Sequence, residues 1–83
     1  MPAQTKTLSE SWLAVASGAG NVTFQTNDEP GEWYIHTASS GAPAIGGNKA
    51  ERQKPVSLAL AAGEYLHLRG RGTALIIADT LVP

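Results

Sequence analysis

No cysteine occurs in the chain, which excludes a disulfide framework and every cysteine-based zinc site. Only two histidines are present, and no third ligand stands at a fixed spacing from them, so no metal is expected. Nor is there an apolar segment of about 15 residues behind a basic start, so neither a secretory leader nor a membrane span is expected. Met1-Pro2 lacks the glycine that N-myristoylation needs. Charge of one sign is missing too: six basic and seven acidic side chains leave a formal −1. Such a balance gives no general field to draw nucleic acid or anionic lipid. A Walker-type glycine loop and a Gly-x-Ser-x-Gly elbow are both absent. Several serines, either histidine and Asp28 or Asp79 would supply a hydrolytic triad on paper, as almost any chain of this length does. No enzymatic activity and no cofactor are therefore expected.

With 83 residues the chain is one domain, and a fold of this size hides only roughly 60 to 65% of the surface its unfolded form exposes. Small cores of this kind need an added staple. Without cysteine or a metal, sharing buried surface with copies of itself is the most economical one, and a homo-oligomer, with a trimer favoured, is expected.

Residues 55–80 carry the clearest pattern. Val56, Leu58 and Leu60 alternate with Ser57 and Ala59; Leu66 and Leu68 alternate with Tyr65, His67 and Arg69; residues 75–78 are an apolar run. Period two means strands. Gly63, Gly70 and Gly72 stand in the two breaks, where tight turns call for positive φ. A three-stranded antiparallel meander is the expectation. One sheet cannot bury its own apolar face, so the preceding residues must cover it. The predicted fold is all-β, a small antiparallel sandwich or barrel of about six strands with a long central loop.

Residues 1–6 are small and polar and read as a flexible arm, with a single β domain over residues 7–83. Thr7-Leu8-Ser9-Glu10 matches a capping box and Gly18 suits a helix C′ position, so residues 7–18 admit a helix. Residues 12–16 equally fit a half-buried strand, which is preferred because an all-β remainder needs a partner strand. Residues 18–25 read as a turn into a second strand, and residues 26–31 as a surface turn closed by Pro30-Gly31. In the next strand Trp33, Ile35 and Thr37 are expected to face inward and Glu32, Tyr34 and His36 outward. Residues 38–54 show no period and hold Lys49, Arg52 and Lys54, half of the basic side chains. Long loops of this kind bind something or cross between sheets. Leu81-Val82-Pro83 keeps the chain apolar to its end and is expected to pack on a neighbouring subunit. The acceptor triplet Asn21-Val22-Thr23 reads as chance without a leader.

Gly31-Glu32-Trp33-Tyr34-Ile35-His36 and Gly63-Glu64-Tyr65-Leu66-His67 repeat one motif. On adjacent strands Tyr34, His36, Tyr65 and His67 would form an aromatic platform able to stack a sugar, bind a metal or meet another subunit. The plainer reading is strands alternating core and surface. Arg69-Gly70-Arg71-Gly72 is a compact basic turn; together with Lys49, Arg52 and Lys54 its arginines are the residues a single-stranded nucleic acid would need. Nucleic acid and membrane are not the expected partners.

The tryptophan-led run at residues 12–16, the Gly-x-x-Asn-Val turn and strand at 18–25, the proline-containing centre and the closing Leu-x-Ala-Gly-Glu-x-Leu-x-Leu-Arg-Gly-x-Gly-Thr-Ala at 60–74 follow one another in an order that resembles small β-sandwich or β-barrel structural proteins of tailed bacteriophage virions. The resemblance implies a non-enzymatic virion component assembled in the host cytoplasm. Capsid decoration (cement) comes ahead of a tail or fibre role, with the major capsid protein or another virion protein as partner. No catalytic residue comes with it. A carbohydrate-binding module built on the Tyr/His platform is the competing class.

Overall fold

The computed structural model describes residues 2–42 and 47–82. The fold is all-β, as expected, with eight strands in place of about six: β1 (Ala3–Thr7), β2 (Leu13–Ser17), β3 (Gly20–Thr26), β4 (Gly31–His36), β5 (Asn48–Ala50), β6 (Val56–Leu60), β7 (Tyr65–Arg69) and β8 (Thr73–Ala78). They form two antiparallel four-stranded sheets, ordered β1-β8-β3-β6 and β2-β7-β4-β5. That order is the eight-stranded jelly roll, two interlocked Greek keys.

Alternation decides which side chains meet between the sheets. Val22, Phe24, Ile76 and Ala78 of one sheet and Leu66 and Leu68 of the other are almost completely buried. Phe24 of β3 meets Trp33 of β4 edge-on, ring centroids 6.0 Å apart, so one aromatic pair bridges the two layers. Leu8, between β1 and β2, closes the core where its N–H donates to the Gly72 carbonyl at 2.8 Å.

Several expectations change. The three apolar runs of residues 55–80 are strands, but not a meander. β6 pairs with β3, β7 with β2 and β4, and β8 with β1 and β3. Each glycine break therefore carries the chain from one sheet to the other. Period two specifies a strand but not its neighbour, and here residues far apart in sequence supply the better apolar cover. The turn glycines do serve as expected: φ is +85° at Gly63 and +77° at Gly72. At Gly72 an added Cβ would also run into the Asp28 carboxylate, whose Oδ2 accepts from the Thr73 N–H at 2.9 Å.

The segment 1–6, expected as an arm, supplies residues 3–6 of β1, which pairs with β8 from Ala3↔Ile77 to Thr7↔Thr73. A polar sequence suffices at a sheet edge, where backbone pairing matters more than burial. In residues 7–18 strand prevails over helix, starting at Leu13. The loop 38–54 contains β5, which pairs Glu32 with Lys49; its residues 43–46 lie outside the described residues. Thr37, expected inside, lies exposed past the end of β4. The C-terminal tail folds back on its own β2, where Ser17 N–H donates to the Thr80 carbonyl, Val82 N–H donates to the Val15 carbonyl, and Leu81 bridges Ala16. Leu81 packs against the core of the same molecule, which removes the reason for giving it to a neighbour.

Candidate functional site

The two outer faces of the sandwich differ in chemistry. On the β1-β8-β3-β6 sheet the buried residues Ala74, Ile76, Ala78, Val22, Phe24 and Thr26 mark the inner face. The alternate positions therefore form the outer one: Thr5 opposite Leu75, Ala3 opposite Ile77, Thr23 opposite both Ile77 and Ser57, Asn21 opposite Ala59, and Gln25 opposite Leu75. No strand residue on this face is charged. Leu75 and Ile77, half-buried, lie at its centre, and Thr23 and Ser57 join hydroxyls across β3 and β6 at 2.9 Å. Asp79 stands at the rim, its carboxylate accepting from the Asn21 N–H at 2.7 Å. The face is free of charged strand residues and rich in short hydroxyl and aliphatic side chains.

The outer face of β2-β7-β4-β5 holds the predicted platform. The register sets Tyr34 opposite His67 and His36 opposite Tyr65, so the four side chains share one face as the repeat implied. They are not an open surface, however. After β4 the chain turns back over β7, and His67 is completely buried, its Nε2 3.0 Å from the Ala38 carbonyl oxygen. His36 holds the same residue from the other side, Nδ1 accepting from the Ala38 N–H at 2.9 Å. The two imidazoles meet edge-on at 5.9 Å. His67 Nδ1 is buried without a hydrogen-bond partner. Loss of solvation pushes the His67 pKa below its ordinary value, the Ala38 carbonyl opposes that shift, and nearby His36 adds to it. A sugar stacking on all four rings has no access to His67.

Sequence reasoning missed Trp12, which lies just before β2 and reaches across β7. The Arg69 guanidinium sits 4.5 Å from its ring centre, while Tyr34 approaches at 6.4 Å and an added Cβ on Gly47 would stand 2.9 Å from the indole. Arg69 also donates through Nε to Glu32 Oε1 at 2.8 Å. The strand expected at residues 12–16 includes Trp12 as its first residue, whereas β2 begins one residue later at Leu13.

The basic residues do not gather. Arg69 and the exposed Arg71 line an open cleft of about 610 Å3 with Glu10, Glu29 and Glu32. Lys49 and Lys54 line a second, of about 230 Å3, with Glu51 and Val56; Lys54 reaches Glu51 at 3.2 Å, and Arg52 is exposed beside Thr26. Three carboxylates against two cations in the first cleft offset the positive charge that a polynucleotide backbone would need there. Among the described residues no three of His, Cys, Asp and Glu are grouped to hold a metal ion.

Searches of the chain against family models, curated proteins and solved structures found no match.

Proposed function

We propose that the chain is a non-enzymatic assembly subunit of a tailed-bacteriophage virion, a capsid decoration protein that reinforces the head through contacts between subunits. The observation that carries the reading is the uncharged outer face of the β1-β8-β3-β6 sheet. Interface cores are depleted of charge because each buried ion must be desolvated and paired. A face that keeps charge off four strands while Glu32, Lys49 and Arg69 crowd the opposite one suits contact with protein rather than with water. The order of sequence motifs, which resembles that of small phage structural proteins, supplies the virion context. The jelly roll is compatible with it, since viral shells and lectins both use this architecture, but a fold by itself does not choose between them.

The carbohydrate reading loses ground because His67 is covered and only Tyr34, His36 and Tyr65 remain partly open. A tail or fibre role is separated from decoration by counting. Quantitative mass spectrometry of purified particles is expected to find hundreds of copies per virion; about a dozen would assign the chain to the tail, and none would remove the virion reading.

A further inference from the structure

Both backbone groups of one residue, Ala38, are held by the only two histidines in the chain. Its N–H donates to His36 Nδ1 at 2.9 Å, and its carbonyl oxygen lies 3.0 Å from His67 Nε2. A ring nitrogen that accepts is bare, and one that faces a carbonyl carries hydrogen. His36 is therefore bound as a neutral ring, and His67 donates from Nε2 while its buried Nδ1 has no partner. Among the described residues these two bonds are the only ones that tie residues 37–42 to the sheet, and residues 37–41 are all exposed, so apolar burial does not hold that stretch. Yet His67 beneath it is wholly buried.

A proton on either Nδ1 works against this cover. On His36 it sets an N–H against the Ala38 N–H, and the bond is lost. On His67 it creates a buried charged donor without an acceptor, with the second imidazole 5.9 Å away. Nothing facing the pair compensates. The neighbouring side chains are Tyr34 from β4, Tyr65 and Arg69 from β7, and Ala14 and Ser17 from β2. The carboxylate on this face, Glu32, is paired with Arg69, and residues 37–42 carry no charge.

We infer that residues 37–42 are a proton-released cover: charging His36 and His67 frees both backbone groups of Ala38, and the segment lifts from β7 and uncovers the Tyr34, His36, Tyr65 and His67 face while both sheets stay folded. The sign follows from His67, whose pKa burial holds below its ordinary value. The open state binds that proton more readily than the closed one, so the cover is shut above about pH 6.5 and loosens as pH falls toward the closed-state value. The device goes beyond the assembly reading and concerns the opposite sheet, so either can fail without the other.

Amide hydrogen exchange followed by NMR on the full chain tests it. Between pH 7.5 and 5.0 the protection factor of the Ala38 amide should fall about tenfold, while those of Phe24, Leu66 and Ile76 stay unchanged. A soluble nitroxide should broaden the His67 ring resonances at pH 5.0 and leave them sharp at pH 7.5. In H36N the side-chain oxygen replaces Nδ1 as an acceptor that does not titrate, and the fall should be reduced. H36A has no acceptor and should show low Ala38 protection at both pH values; should H36N not fold, H36Q replaces it. Unchanged Ala38 protection, an equal fall in H36N, a fall shared by the three strand amides, or a His67 ring that stays sharp at pH 5.0 overturns the inference.

Discussion

His67 is the residue with the least freedom to change its charge. It is wholly buried and its Nδ1 has no hydrogen-bond partner, so a proton added there would be desolvated and unpaired, a cost that the Nε2 contact with the Ala38 carbonyl offsets only in part. The groups facing it are Tyr34 and His36 from β4, Tyr65 and Arg69 from its own strand and Ala14 from β2, none of them a carboxylate able to stabilise an imidazolium. Because the folded pKa lies below the unfolded value, the unfolded chain binds the proton more readily. Stability is therefore intact above about pH 6.5 and falls as pH drops through the unfolded value toward the folded one. Thermal melts at pH 7.5 and 5.0 should show a drop that H67Q reduces; an equal drop in both would place the sensitivity elsewhere. Arg69 is a milder case. Its half-exposed pairing with Glu32 and its stacking on Trp12 together contribute about 1 kcal/mol, so R69A should lower the unfolding free energy by about that much in urea. A Lys at this position keeps the charge but loses the planar stack.

Single strands in this molecule are stabilised by what crosses to the other sheet. Phe24 is the largest fully buried side chain, and it joins β3 to Trp33 on β4. F24A should cost about 3 to 5 kcal/mol in urea unfolding, a large share of what a domain this small has; a loss under 1 kcal/mol would mean that the layers do not depend on it. The tail is the second element to test. Replacing Leu81 by Asp should release residues 80–82 and expose the β2 edge, seen as faster hydrogen exchange at the Ser17 and Val82 amides; unchanged exchange would show that the tail does not hold that edge. Strand identity was legible where alternation was strong, in residues 56–60, 65–69 and 22–26. Pairing was not, because Leu58 and Leu66 carry no mark of which sheet they enter. β1 was illegible for a different reason: Ala3–Thr7 buries little, and only backbone bonding to β8 makes it a strand. The Tyr/His repeat did foretell a shared face, since turn spacing fixed the parity of both copies. What covers it was hidden, as residues 37–42 have no pattern of their own and are tied to the platform through the Ala38 contacts with His36 and His67.

Scale also separates what the whole molecule does from what its parts do. One outer face is ionic and aromatic, partly roofed by its own chain; the other is without a charged strand residue. That asymmetry, more than any single cluster, is what the proposed assembly role rests on. Of its basic residues, Arg69 and Arg71 line one cleft, Lys49 and Lys54 another, and Arg52 is exposed beside Thr26. Leu75 and Ile77 stand in the sequence only as part of an apolar run, and Thr5 and Thr23 carry no signal, because hydroxyl and aliphatic side chains are ordinary for a strand. They become conspicuous only when register brings β1, β8 and β3 together. The most direct measurement is co-sedimentation of the purified protein with particles stripped of it, comparing T5E/T23E on the uncharged face with Y34A on the other. The account predicts that Y34A binds like the unaltered chain while T5E/T23E, which must bury two unpaired carboxylates, binds on the order of 100-fold more weakly with its fold intact. Equal binding by T5E/T23E, or loss confined to Y34A, would contradict it.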